Sequence, residues 1–312
     1  MKNMRNNTQF EQDVDDKYVA FLDILGFKNY VYSHSQEEVK NYILKFSKVV
    51  YNQWLQFKMD RKMYSNITDT SGKLSVKGLL VSDSLVLHTK DNSEEQLKLL
   101  IEFIKEVCKA SFNEKILFRC GIAKGEYNDK DMDSPQGLEK EVFYGRAYID
   151  AYQLESYSQV SAMIVDKLTK DDSIKYRISE KEEFIEVNTQ GNGELKKCYI
   201  LPWMSQDFFK DNNNIEKYCK LALRAEWMPI YYNTIWSAVA KDSKLAREIF
   251  SKIRNYYYDG SKNQWINIGM FIGNSRAEKV FRECTYVVQS LSVLPMKYDS
   301  GSNEDVIDFG KF

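Results

Sequence analysis

Hydrophobic residues follow two rhythms along this chain. Tyr18 to Leu25 (YVAFLDIL) is a near-continuous apolar run broken by one aspartate, the pattern of a strand covered on both faces. Ser35 to Glu38 (SQEE) has capping-box spacing, and the helix it opens sets Val39, Ile43, Phe46, Val50, Trp54 and Phe57 on one stripe. A polar stretch near 60–73 reads as a loop. Leu74 to Thr89 is two apolar halves around Ser82-Asp83-Ser84, which predicts a hairpin. Ser93 to Gln96 (SEEQ) is a second capping box, followed by a helix stripe of Leu97, Ile101, Ile104 and Cys108.

Beyond these, ILFRCGIAKGEY (116–127) predicts another strand pair, and the polar 128–141, with Pro135 and Gly137, a loop. A helix is expected from about Gly145 through Glu155, a short strand at Ala162 to Val165, and a helix opened by Asp166. Residues 184–201 read as a hairpin turning at Gly191-Asn192-Gly193. The order β-α-ββ-α-β, continued by further strands, predicts an α+β sandwich of the ferredoxin-like kind. Residues 1–16 read as a flexible tail, 17–203 as the main domain and 204–312 as a C-terminal helical region. Asn212 to Asn214 mark a linker there, and 215–292 read as helical and aromatic.

Composition narrows the class of partner. Hydrophobic residues at 43% and charged residues at 29% suit a globular core rather than disorder. Lys and Arg number 44 against 45 Asp and Glu, so no basic excess is available to hold a nucleic acid or a membrane surface. The opening segment is polar and apolar runs are short, which leads to the expectation of a cytoplasmic chain with no membrane span. Five scattered cysteines without a CxxC pair fit reduced thiols, and His34 and His88 read as ordinary surface or turn residues. A small molecule or another protein is the expected partner.

Two aspartates stand in apolar surroundings. Asp23 interrupts a strand and precedes Ile24-Leu25-Gly26-Phe27, and Asp83 lies between two apolar strands. Burying even a neutral polar group unpaired costs on the order of 2–7 kcal/mol, so each needs compensation. A turn would supply it, because Asp suits turn positions; so would magnesium or manganese, which prefer carboxylate oxygens. Gly26 would let a phosphate approach the backbone N–H groups closely.

FLDILGF (21–27) resembles the metal-binding first strand of class III nucleotide cyclases. LLVSDSLVL (79–87) is similar to their second metal site, with Ser82 where the family usually has glycine. FRCGIAKGE (118–126) and FYGRAYIDAYQLES (143–156) resemble a later strand and a glycine-led helix, and AMIVDKLT and KCYIL the tail. The motifs fall in family order over about residues 17–203, and the likeness is greatest to the bacterial pyrimidine cyclases of Pycsar antiphage systems. The resemblance implies a cyclase-type sandwich. It implies two Mg²⁺ or Mn²⁺ ions on Asp23, Asp83 and the Ile24 backbone, and a triphosphate cradled by Leu25, Gly26, Phe27 and Lys28. It further implies a homodimer that converts a nucleoside triphosphate, here UTP or CTP, to a 3′,5′-cyclic nucleotide and pyrophosphate, read by a separate effector protein.

The chain departs from the family at several positions. The asparagine and arginine four residues apart on the last helix are replaced by Ile149 and Gln153. Arg146, Tyr148, Lys124 and Gln153 are the candidates to stand in for them. The purine-reading lysine and aspartate fall near Leu79 and Val142, an apolar pair that cannot read an adenine edge. A cyclase-like nucleotide sensor without catalysis is the alternative.

Overall fold

The computed structural model describes residues 16–64, 76–131, 141–156, 160–191, 194–224 and scattered positions between 234 and 265. Its centre is strand β1 (Asp16–Ile24), buried along most of its length as its apolar run dictates. A short helix α1 (Phe27–Ser33) of about two turns and the long α2 (Gln36–Tyr64) follow. The Ser35 capping box forms, the Ser35 N–H donating to the Glu38 carboxylate at 2.8 Å. The predicted loop at 60–73 starts late, because the helix continues to Tyr64; charged and long side chains there favour helix as well as they favour solvent.

Next come β2 (Lys77–Val81) and β3 (Ser84–His88), joined by the two-residue turn Ser82-Asp83, with Val81 opposite Ser84. Helix α3 (Glu94–Asn113) carries the predicted apolar stripe. Its second capping box is not formed: Gln96 accepts instead from the Lys90 N–H at 3.2 Å. The expected strand pair at 116–127 is one long strand, β4 (Phe118–Glu126), antiparallel to β1 over nine residue pairs. Gly121 and Gly125 within it mark no turn but a helix crossing, described below.

The stretch read as a loop at 128–141 contains two short strands, β5 (Asn128–Asp131) and β6 (Glu141–Tyr144), paired antiparallel; residues 132–140, with Pro135 and Gly137, lie outside the described residues. Helix α4 (Arg146–Ser156) returns the chain to β7 (Met163–Val165), parallel to β4. Asp166 caps α5 (Lys167–Lys175) by accepting from the Thr169 N–H at 2.8 Å. The hairpin β8 (Ile185–Gly191) and β9 (Glu194–Leu201) completes the sheet; Asn192 and Gly193 of its expected turn lie outside the described residues.

The strand order is β2-β3-β1-β4-β7-β9-β8. Its first four members, all antiparallel, have the split β-α-β arrangement of the ferredoxin-like sandwich. The α+β fold expected from the sequence is therefore the fold observed. Helices α2 and α3 cover one sheet face, where Tyr18, Leu22, Ile24, Phe46 and Ile104 share the large core. Helix α4 covers the other, over Val19, Phe21 and Ala123.

The core continues past position 203. Helices α6 (Gln206–Lys210) and α7 (Asn212–Arg224) pack Phe208 and Tyr218 against Phe112 of α3, Phe208 also meeting Trp203, while Phe209 lies edge-on to Tyr218. Asn212 to Asn214 are not a linker: they open α7, with Asp211 accepting from the Asn213 N–H at 2.8 Å. Tyr258–Asp259 and Gln264–Trp265 pair as two strands, β10 and β11, inside the stretch read as helical. His88 is buried in β3 against the Tyr127 ring, not at the surface. His34 is exposed and stacks on Tyr30.

Candidate active site

Strand register brings the two aspartates to the same end of the sheet. Asp23 lies opposite Ser84 on one side and Arg119 on the other. Directly opposed residues point to the same sheet face. Ser84 Oγ accordingly donates to Asp23 Oδ1 at 3.1 Å, and Arg119 Nη2 to Asp23 Oδ2 at 3.0 Å. The Ser82-Asp83 turn sets Asp83 one residue before Ser84, and its carbonyl accepts from the Ile24 N–H at 3.1 Å. Ser82 has φ 54°, the left-handed region where glycine rests without strain.

Glu155 of α4 completes the group. Its Oε1 lies 2.7 Å from Arg119 Nη2, and its side chain is only 4% exposed. Helix α4 reaches this depth because Gly121 lacks a side chain: a Cβ there would lie 2.0 Å from the Ala151 carbonyl oxygen and 2.7 Å from the Glu155 nitrogen. Ala147 and Ala151 extend the same small-residue seam. The result is a line of charge, Asp83 and Asp23 at one end of the central strands, then Arg119, then Glu155 beneath the helix.

The electrostatics reflect crowding. Burial, and after it the charge of Asp83, raise the Asp23 carboxyl above the usual range; Arg119 and Ser84 pull it back in part. Burial lifts the Glu155 carboxyl to about 7, outweighing the nearby guanidinium. A half-buried carboxylate opposed by a second carboxylate suits a hard divalent cation, which would relieve both terms. The donor set is an aspartate pair, the Asp83 carbonyl beside it being engaged by the Ile24 N–H. Among the described residues no group of three or more His, Cys, Asp and Glu side chains converges on one point.

The other sequence candidates divide. Ile24 follows Asp23 and Gly26 has φ 77° as the N-cap of α1. The Leu25 N–H already donates to the Leu117 carbonyl at 2.8 Å, so it is not available to a phosphate. Phe27 and Lys28 sit in the first turn of α1, where N–H groups have no partner within the helix. Tyr148 packs edge-on against Phe21, two residues from Asp23 on the same face. Gln153 lies two residues before Glu155 on α4.

Two candidates are elsewhere. Lys124 is about 17 Å along β4 from Arg119, at five residues' rise, and on the opposite face; it pairs with Asp172 at 2.7 Å and ties α5 to Tyr18. Arg146 stands about 14 Å up the helix from Glu155, is 82% exposed and pairs with Asp150 at 3.3 Å. The composition of the strand hid the reason. Lys124 and Arg119 belong to one motif, FRCGIAKGE, and only the period of two decides which face each takes.

Arg119 and Glu155 were not candidates from the sequence, although both lie in the quoted motifs. The available signal was an arginine opening an apolar strand and a glutamate closing a helix whose inward positions are alanines.

Sequence comparison with family models and with curated proteins found no match. Comparison with solved structures found similar folds. The adenylyl cyclase CyaB from P. aeruginosa is 12% identical, with a TM-score of 0.45, covering 60% of this chain and 93% of that one. The guanylyl cyclase Cya2 gives 12% identity and a TM-score of 0.45, over 59% and 89% of the two chains. The guanylate cyclase domain of RhGC from Catenaria anguillulae, in complex with GTP, gives 14% and 0.41, over 60% and 96%.

Proposed function

We propose that this chain is a nucleotidyl cyclase, converting a nucleoside triphosphate to its 3′,5′-cyclic monophosphate and pyrophosphate. The observation that carries the reading is the Asp23–Asp83 pair, brought to one end of a ferredoxin-like sheet in the order the motifs require. Asp23, Asp83 and the Ile24 backbone would hold two Mg²⁺ or Mn²⁺ ions. When bound, these ions supply charge stabilisation at the attacking 3′-oxygen and the departing pyrophosphate. The chain's own part is positional. Ser84 and Arg119 fix the Asp23 carboxylate, the β2–β3 turn presents Asp83, and the backbone at 26–28 opens toward the phosphates.

The base is read as a pyrimidine, UTP or CTP, because apolar Leu79 and Val142 stand near the purine-reading positions. A homodimer is supported by the exposure of Ile149 and Tyr152 on α4, half-open apolar side chains on the helix that class III cyclases turn toward their partner. An antiphage signal, passed to a separate effector, is the role that this product implies.

A second reading, a nucleotide sensor without turnover, draws on the same helix. Ile149 cannot donate a hydrogen bond to a phosphate, and Arg146 is engaged with Asp150. The two readings separate in one assay. Purified protein with Mn²⁺ and each of four NTPs is expected to release pyrophosphate from UTP or CTP. Asp23→Asn and Asp83→Asn are each expected to abolish turnover, at least a hundredfold, while circular dichroism stays unchanged. Nucleotide binding without pyrophosphate would decide for the sensor.

A further inference from the structure

We propose that Arg119 is an exchangeable counter-ion for Asp23, and that Glu155 is the positioning residue that receives it when a divalent cation enters the aspartate pair. The proposal rests on the cyclase reading and names a residue that sets its metal affinity.

The geometry around Arg119 is under-used. One nitrogen, Nη2, serves both carboxylates, Asp23 at 3.0 Å and Glu155 at 2.7 Å. The Nε–H of the same guanidinium is buried without a partner among the described residues. Glu155 Oε1, despite the short contact, lies off the line of a hydrogen bond and is itself unsatisfied. Guanidinium carries five donors in a planar fork and pairs best with a carboxylate through two of them. A small rotation would bring Nε and Nη2 together onto Glu155, satisfying both orphaned atoms. Asp23 would then be released to a cation.

Charge favours the exchange. Arg119 pairs with Asp23 and Glu155, and the Asp83 charge acts on both from nearby, so three carboxylates share one guanidinium in this neighbourhood and, when ionised, leave two negative charges, the amount that one divalent ion neutralises. Glu155 is a fixed receiver rather than a mobile one, because α4 is seated on Gly121 with backbone atoms in contact range. Ligand-orienting residues of this kind typically change metal affinity 10–100-fold when altered, on the order of 1–3 kcal/mol. A static clamp, in which Arg119 keeps its hold on Asp23 throughout, is the opposing account.

The test is Mn²⁺ binding to the full chain at pH 8 without nucleotide, read from the paramagnetic resonance of the free ion. Glu155→Gln is expected to weaken binding about tenfold, since the guanidinium then has only Asp23. The double variant Arg119→Met/Glu155→Leu, with no competing cation, is expected to bind at least as tightly as the wild type. A second readout separates exchange from a general field effect. The Arg119 ¹⁵Nε–H resonance is expected to become slow-exchanging on Mg²⁺ addition in the wild type and not in Glu155→Gln.

Equal Mn²⁺ affinity in wild type and Glu155→Gln overturns the proposal, as does an Nε–H resonance that Mg²⁺ leaves unmoved. Should Glu155→Gln not fold, the double variant decides, and affinity below wild type counts against it. If Asp23→Asn binds Mn²⁺ as the wild type does, the cyclase reading fails and this one with it. If Asp23→Asn loses binding and Glu155→Gln does not, only the present proposal fails.

Discussion

Glu155 is the most informative single residue for pH. Its carboxyl moves from the usual 4.5 to about 7 on folding, so the folded state holds the proton more tightly than the unfolded one. The stability this contributes is complete below about pH 4.5 and is lost as pH rises through 7. The loss is about 3.5 kcal/mol at most, one pKa unit being about 1.4 kcal/mol. Urea titrations between pH 5 and 8 are expected to show falling stability in the wild type and a flatter profile in Glu155→Gln. A wild-type profile that rises over this window would show that Arg119 dominates after all. The same residue illustrates what sequence can miss: nothing in YQLES separates a buried glutamate from a wet one until the sheet beneath it is known.

At the scale of elements, the contact of α4 with β4 decides how close the charged line can form. Gly121→Ala would drive a methyl into the Ala151 carbonyl at 2.0 Å, backbone against side chain, with no flexible group to yield. Such overpacking costs about 3 kcal/mol, and α4 must lift. The expected measurement is a lowered melting temperature together with weaker Mn²⁺ binding, because Glu155 moves with its helix. Gly125→Ala is the control, since its Cβ would meet only Ala147 at 3.6 Å or more, an ordinary contact. The two glycines look alike in FRCGIAKGE, and the helix crossing alone distinguishes them. The β2–β3 hairpin, by contrast, was legible in advance: apolar halves around a polar turn leave little other arrangement.

For the whole molecule, the question is whether α6 and α7 form a separate unit. Phe209 is fully buried, edge-on to Tyr218, in the same core as the sheet. Phe209→Ala is expected to cost about 3–5 kcal/mol. It is expected to shift one cooperative unfolding transition seen alike by tryptophan fluorescence and by far-UV circular dichroism. Two transitions, with only the smaller one shifted, would show that the helices fold apart from the sandwich. The sequence boundary at 203/204 follows a change in composition; aromatic packing of Phe112, Trp203 and Phe208 runs straight across it.

The sequence alone determined β1, α2, the β2–β3 hairpin and α3 in their order, because burial on both faces of β1 and the apolar stripes of α2 and α3 are local patterns of period two and 3.6, whereas the polar β5 and β6 carry no such pattern. It also marked Asp23 and Asp83 as charges out of place. Only the tertiary structure decided which side chains join them. Arg119 and Glu155 are 36 positions apart in the chain. They meet because antiparallel register sets Arg119 beside Asp23 and a missing Cβ at 121 lets a helix settle above both. Lys124, five residues further along the same strand, is carried to the other face by the pleat. Register and close approach are relations between distant segments, and no local pattern encodes them.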